Sequence, residues 1–218
     1  MEIKFKDNLT LYCDTCVIST YRDYLTLANY QTLTDMNILR EMFAFEQIIK
    51  LIDSGIKIKL IVSDDNHHEI QKMRTPNNRA KNMKQEILTI FSVLEKEPYM
   101  KLGHSACWDS GYRWDRGAVW AGENTDNNRE SIENDLMRWS GSKKPGKFRE
   151  DAQHLSNMLV KENRIDIFLT RDEKSLLKYR EKIFNSYKIK LAKPSEILKT
   201  LISQPKIYVK FLEINGRT

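Results

Sequence analysis

The chain has 218 residues, enough for one well-packed domain that carries an insertion or for two small domains. Its formal net charge is +6 and its isoelectric point is about 9.1, which suits a polyanionic partner and also serves solubility alone. No hydrophobic leader and no run of about 18 apolar residues occurs, so we expect a cytoplasmic protein rather than a secreted or membrane protein.

The cysteine content favours a reducing compartment. The three cysteines, Cys13, Cys16 and Cys107, form an odd and sparse set that does not make a disulfide framework. Cys13 and Cys16 have the CxxC spacing, but no second cysteine pair completes a zinc site. We therefore expect small, buried residues rather than metal or redox ligands.

The first half of the chain alternates between predicted strands and helices. An apolar, β-prone run over residues 9–13 predicts a first strand that ends at Asp14. Residues 17–33 show no clear period and are expected to be loop with some helix. Thr34 or Asp35 then caps a long helix with one apolar face, which ends at Gly55.

A second strand is predicted over residues 57–62, and Ser63-Asp-Asp-Asn opens another helix with several capping candidates. Pro76 interrupts that helix before a further one over about 80–94. Residues 98–147 differ in composition from the preceding part of the chain, since they hold all four tryptophans and most of the glycines. Within them we predict a helix over 126–139 and a basic, flexible connector over 140–147. We interpret residues 98–147 as an insertion or a lid packed on the main domain.

The last third of the chain returns to the α/β pattern. Apolar residues at helical spacing predict a helix from about residue 148, with Asp151 near its start. Residues 165–170 are typical of a buried parallel strand, which Asp172 follows by two residues.

A helix over 173–183, a strand over 187–191, a helix from Pro194 and a final β-prone run over 207–214 complete the chain. Strand–helix alternation of this kind predicts an α/β domain with a parallel sheet over residues 1–203, followed by a C-terminal strand or tail over 204–218.

Four acidic residues are expected to meet at one edge of this sheet. Asp14 and Asp172 follow strands, whereas Glu69 lies in the helix after the second strand and Asp151 lies near the start of a helix. Right-handed crossovers bring these positions to the same edge, where the carboxylates repel each other unless a cation lies between them. Hard oxygen ligands suit Mg²⁺ or Mn²⁺. Taken singly, each acid also fits the plain role of a helix-capping residue.

The order of these segments resembles the PIN-domain nucleases. The matching segments are Leu11-Tyr-Cys-Asp14-Thr15, Ile61-Val-Ser63 through Glu69-Ile70, Asp151-Ala-Gln-His154-Leu, Phe168-Leu-Thr170-Arg-Asp172 and the closing stretch 187–198. The resemblance covers about 1–75 and 148–200, and it leaves out 98–147 and the tail after 203. It implies a PIN-like three-layer α/β/α sandwich with a central parallel sheet and a long Trp-rich insertion.

The resemblance also implies a function, namely metal-dependent hydrolysis of RNA phosphodiester bonds by an endoribonuclease. Asp14, Glu69, Asp151 and Asp172 fall on the acidic metal-binding positions of the family, and Thr170 falls on its small hydroxyl position. We expect Asp14 and Asp172 to be the most direct ligands of Mg²⁺ or Mn²⁺, and Glu69 and Asp151 to complete the cluster or orient the attacking water.

Two histidines and one further acid lie near these positions without matching them. Glu150 is adjacent to Asp151, but the family pattern fits only the frame that uses Asp151. His67 and His68 are not on family positions, and a surface or helix-cap role is favoured for both.

Several alternatives remain open at this level. A phosphatase or a DNA-directed nuclease would use the same acids, a non-catalytic nucleic-acid-binding protein would keep the fold alone, and an interaction protein would use the acids only as caps. A nuclease of this kind fits a toxin with an antitoxin partner, a defence protein or an RNA-processing enzyme. RNA, a protein partner and a second copy of the chain are the expected partners, and a membrane is not.

The insertion suggests a further RNA contact. Three tryptophans recur every six residues among arginines, and a run of lysines follows: Trp108, Arg113, Trp114, Arg116, Trp120, Lys143, Lys144 and Lys147. Aromatic faces stack on bases while cations follow the backbone, so this mixture suits single-stranded RNA. Tryptophans that anchor a long loop on the core, or that bind a protein partner, explain the same pattern.

Overall fold

The computed structural model describes residues 9–27, 35–94, 100–102, 125–159 and 165–216. In these ranges the strands are β1 (Leu9–Cys13), β2 (Ile58–Ser63), β3 (Met100–Leu102), β4 (Ile167–Leu169) and β5 (Leu191–Ala192). The helices are α1 (Thr15–Leu27), α2 (Met36–Asp53), α3 (Asp64–Lys72), α4 (Asn78–Leu94), α5 (Thr125–Ser140), α6 (Arg149–Met158), α7 (Arg180–Tyr187), α8 (Pro194–Ile202) and α9 (Pro205–Ile214). A 3₁₀-helix over Leu177–Tyr179 precedes α7.

The five strands form one parallel sheet in the order β3-β2-β1-β4-β5, which confirms the predicted α/β class. From β1 the chain first builds outward through β2 and β3, then crosses back to place β4 and β5 on the other side. The carboxyl ends of β1 and β4 therefore flank the point where the strand order reverses. Ligands of open α/β sheets bind in the crevice at such a point.

Helices cover both faces of the sheet because successive strand side chains point to opposite sides. Leu11 and Leu60 pack in one core with residues of α1, α2, α8 and α9. Tyr12, Ile61 and Phe168 pack in a second core with residues of α5, α6 and α7. Each fully buried side chain of this size contributes roughly 1.5–3 kcal/mol.

Helix ends near the site follow the sequence signals. Asp35 caps α2 by accepting from the backbone N–H of Asn37 at 2.9 Å, and Gly55 follows the helix with a φ of +90°, a conformation that favours glycine. Ser63 ends β2 and caps α3 through a reciprocal pair of hydrogen bonds with Asn66. These caps hold α3, and with it Glu69, at the carboxyl edge of the sheet.

Two segments differ from their predictions. Residues 17–33 were expected to be loop with some helix, and the described part of this segment lies wholly in the regular helix α1, since Val17, Ile18 and Tyr21 bury one face against the core. The predicted C-terminal strand over 207–214 lies in helix α9, whose Ile207 is buried and whose packing against α2 and α8 outweighs the β-prone composition.

The region around β5 differs from the expectation in its boundaries. A turn, the 3₁₀-helix and α7 stand where one helix over 173–183 was expected. Helix α7 continues to Tyr187 and ends at Lys188, whose φ of +61° is left-handed. The strand predicted over 187–191 is reduced to Leu191–Ala192.

The described part of the insertion contains the predicted helix, α5, which packs against α6. Residues 103–124, with Trp108, Trp114 and Trp120, lie outside the described residues. None of the helices in the described ranges combines the length and apolar character that spanning a bilayer requires.

Candidate active site

Asp14 stands at the carboxyl end of β1, beside the end of β4. Its backbone N–H donates to the carbonyl of Leu169 at 2.9 Å, so the two strands are still joined at this point. Its carboxylate is buried, and Oδ2 accepts from Thr170 Oγ1 at 2.5 Å and from the Cys16 thiol at 3.0 Å. Asp14 is therefore held at the point where the strand order reverses.

Thr170 joins the two acids that follow β1 and β4. Its backbone N–H donates to Ala192 at 3.0 Å, which fixes the residue against β5. Its hydroxyl donates to Asp14 and accepts from the backbone N–H of Asp172 at 3.1 Å. The structure thus brings Asp14, Thr170 and Asp172 together.

Asp172 also serves as a local cap. Its Oδ1 accepts from the backbone N–H groups of Lys174 and Ser175, each at 2.9 Å, and its Oδ2 accepts from the Ser175 hydroxyl. The capping role that the sequence allowed for each acid is therefore present at this residue.

The pKa of Asp151 shows that negative charges are crowded at this site. It lies partly buried in the first turn of α6. Burial raises the pKa of Asp151, the charges of Asp14, Asp172 and Glu69 raise it further, and His154 opposes them; the resulting pKa is about 7. The four predicted acids are therefore within electrostatic reach of one another.

Glu69 lies in α3, on the side of the acids that faces α6. Its Oε1 is 3.0 Å from Nε2 of His154. Burial alone would raise the pKa of Glu69, but the hydrogen bond from His154 and its charge, with smaller contributions from Thr15 and Lys72, lower it. Glu69 therefore remains ionised beside the other acids.

His154 is a site residue that sequence reasoning did not single out. It is buried, and its Nδ1 lies 2.8 Å from the hydroxyl of Tyr12, which in turn lies 2.6 Å from Ser63 Oγ. Burial by itself lowers the pKa of His154, but Tyr12, Glu69 and Asp14 raise it well above its ordinary value. The available signal was the three-residue spacing from Asp151, which places both side chains on one face of α6.

Cys16 is the second residue that was missed. Burial and the charge of Asp14 raise the pKa of the Cys16 thiol well above its ordinary value, so it stays protonated and donates to the Asp14 carboxylate. Cys13 is buried in the core, as expected. The CxxC pair therefore contributes one core residue and one hydrogen-bond donor to the site.

The acids fit a divalent cation by chemistry and charge. They offer hard oxygen donors, and their mutual repulsion on Asp151 is the kind that a cation relieves. Within the described residues, no group of three His, Cys, Asp or Glu side chains is arranged to hold a metal ion. Mg²⁺ keeps several of its waters and needs only one or two direct carboxylates, so the donor set remains suitable.

The other residues considered from the sequence are the two histidines beside Glu69, the lysines of the connector and residues outside the described ranges. His68 is exposed, and the Nε2 of His67 lies 3.4 Å from the Gln71 amide nitrogen. Lys143, Lys144 and Lys147 are exposed on the connector before α6, with Lys147 Nζ 4.8 Å from the centre of the Phe148 ring. The expected substrate contacts Trp108, Trp114, Arg113 and Arg116 fall outside the described residues.

Comparison with known proteins gave no match that bears on these observations. The chain matches no protein-family model, and neither curated proteins nor solved structures give a significant match.

Proposed function

We propose that the chain is a divalent-metal-dependent endoribonuclease of the PIN-like type, acting on RNA with Mg²⁺ or Mn²⁺. The observation that carries the proposal is the joining of Asp14 and Asp172 through Thr170 where the strand order reverses, and the raised pKa of Asp151, caused by burial and by Asp14, Asp172 and Glu69, supports it. Such crowding at the reversal point of a parallel sheet is costly without a ligand. The same proposal includes a cytoplasmic location and an antitoxin or other protein as a partner.

Asp14 and Asp172 are the residues that would bind the cation directly, and Asp151 would complete the cluster through the waters that the cation keeps. When bound, a divalent ion polarises a phosphate oxygen and lowers the pKa of the attacking water. Thr170 and Cys16 keep Asp14 in place through their hydrogen bonds, which reduces the reorganisation needed on binding.

Glu69 would orient the attacking water. Its carboxylate is fixed by buried His154 and stays ionised, so it offers an acceptor of constant charge next to the cation-holding residues. This division follows the expectation from the sequence, in which Asp14 and Asp172 are the most direct ligands while Glu69 and Asp151 complete the cluster or orient the water.

A non-catalytic nucleic-acid-binding protein is the second candidate. The observation in its favour is Asp172, whose two carboxylate oxygens are both engaged by the turn that follows β4. Such a protein would keep the fold and lose the metal. Metal titration separates the two candidates.

A cleavage assay tests the proposal. The wild-type chain is incubated with mixed RNAs and the matching DNAs in Mg²⁺ or Mn²⁺, and in EDTA. We expect metal-dependent RNA cleavage that falls by at least about 100-fold in Asp14→Asn and Asp172→Asn, since each removes a charge from the cation-holding set without changing its shape.

Asp23→Asn, on the exposed side of α1, makes the same chemical change away from the site and is the matched control. It should cleave at the wild-type rate. Wild-type activity in a folded Asp14→Asn protein, or cleavage that persists in EDTA, would contradict the metal assignment.

A further inference from the structure

A cleft opens beside Glu69, one of the four acids. It has a volume of about 490 Å³ and lies between α3, the connector before α6, α5 and α6. Glu69 and His154 form the wall that the cleft shares with the acidic cluster. A polymer bound at the acids would therefore reach the cleft with an adjacent unit of its chain.

Cationic side chains from three separate elements line this cleft: Lys72 from α3, Arg129 from α5 and Arg149 from α6. Arg129 Nη1 donates to the side-chain oxygen of Gln153 at 3.5 Å, which holds the guanidinium at the rim. The Lys72–Glu150 ion pair is 3.4 Å long and exposed, and such pairs hold a lysine only weakly. The three cations are thus placed to meet a phosphate.

Hydrogen-bond acceptors line the same cleft. Asp65, which accepts from the Asn157 amide at 2.8 Å, and Glu150 supply carboxylate oxygens that can each accept further hydrogen bonds. Gln153, which accepts from Arg129, supplies an amide. A site for phosphate alone would gain nothing from carboxylates, because they repel the ligand. A ribose presents hydroxyl donors, including the 2′-hydroxyl by which proteins distinguish RNA from DNA.

We infer that this cleft binds a ribose–phosphate unit of single-stranded RNA, next to the acidic cluster. The cations would take the phosphate, and the carboxylates and Gln153 the sugar hydroxyls. The identity of the strand rests on the proposed function, whereas binding itself needs neither metal nor cleavage.

The test measures binding in EDTA by fluorescence anisotropy of a labelled single-stranded RNA, across a salt series. Arg149→Ala and the Arg129→Ala/Arg149→Ala double variant are compared with Lys199→Ala, an exposed lysine of α8 in the opposite helical layer. We expect binding to weaken on the order of tenfold in the double variant, and the salt slope to fall by about 0.7 for each phosphate that the protein no longer neutralises.

A second arm compares RNA with DNA of the same sequence, which we expect to bind several-fold more weakly. Thermal melting establishes that each variant is folded, and Arg149→Glu, at an exposed position, gives a charge reversal with little structural risk. We expect Lys199→Ala to match the wild type.

Affinity and salt slope equal to the wild type in folded Arg149→Glu and in the double variant would overturn the assignment. Equal binding of RNA and DNA would overturn its ribose part. Loss of binding in these variants, in a chain that cleaves no RNA with any metal, would support the cleft and refute the proposed nuclease.

Discussion

The acidic cluster and the cleft beside it are built in different ways. Asp14 and Asp172 come from strand ends and, with Asp151, crowd like charges, which is unfavourable without a compensating cation. The cleft mixes Lys72, Arg129 and Arg149 with acceptors on helices, so its charges balance without a ligand. This difference fits the two proposals, in which the acids carry the chemistry and the cleft holds the substrate.

The largest expected effect comes from replacing His154, which lies between the acidic cluster and the cleft. We expect His154→Ala to lower the free energy of unfolding by about 3–5 kcal/mol, because it removes the ion-pair partner of Glu69 and one of the hydrogen-bond partners of the buried Tyr12 hydroxyl. Urea denaturation measures this. His68→Ala, at an exposed position of the same cleft, should change stability by less than about 0.5 kcal/mol. A His154→Ala protein as stable as the His68→Ala protein would contradict a stabilising role of His154 between the acidic cluster and the cleft.

Asp151→Asn should have the opposite sign. The folded pKa of about 7 lies above the ordinary value of 3.8, so the ionised carboxylate destabilises the metal-free fold increasingly as pH rises from about 4 to 7. We expect the variant to be more stable than wild type by about 2–4 kcal/mol at pH 8, and equal to it near pH 4. Denaturation at both pH values decides this, with Asp23→Asn as control. A difference that is the same at both pH values would remove the case for crowding.

The affinity for a metal ion should depend on pH through the same carboxyl group of Asp151. If Asp151 must lose its proton when the cation binds, the affinity for Mn²⁺ rises about tenfold per pH unit below pH 7 and levels off above it. Calorimetry in two buffers of different ionisation enthalpy should detect the released proton. In Asp151→Asn the pH dependence should disappear. Metal binding without proton release at pH 6 would count against a cation at this carboxylate.

Glu69 lies between the acidic cluster and the cleft, and its substitution should distinguish its role from that of the neighbouring histidines. We expect Glu69→Gln to reduce metal-dependent cleavage by roughly tenfold, as is common for a group that supports a metal site. His67→Ala and His68→Ala should each remain within about twofold of wild type, since neither was expected on a family position. A greater loss in either histidine variant would shift the catalytic role along α3.

The smallest effect is expected from the connector. Lys143, Lys144 and Lys147 are exposed, so replacing all three by alanine should weaken RNA binding only a few-fold at physiological salt. The salt slope should still fall by about 0.7 for each phosphate left without its lysine. Binding measured across a salt series tests this against the Arg129/Arg149 double variant. A larger decrease in affinity in the lysine variant than in the arginine variant would make the connector the main RNA surface.

Local patterns were sufficient for the parallel-sheet class and for the placement of several functional residues. Apolar runs bounded by polar residues located β1, β2 and β4, and capping residue types narrowed two helix starts to a few candidates, among which the structure uses Asp35 and Ser63. Because a parallel sheet aligns the carboxyl ends of its strands, Asp14 and Asp172 could be placed at one edge from these runs alone.

The tertiary structure decided what depends on partners distant in the chain. Ile207, Tyr208 and Val209 favour a strand locally, yet this segment is the helix α9 because α2 and α8 offer an apolar surface to its buried side. The bond between Tyr12 and His154 joins residues 142 positions apart, and no local pattern encodes it. The cleft likewise exists only where α3, α5 and α6 meet. Periodicity reports which side of an element is apolar, whereas the packing of elements determines what that side contacts.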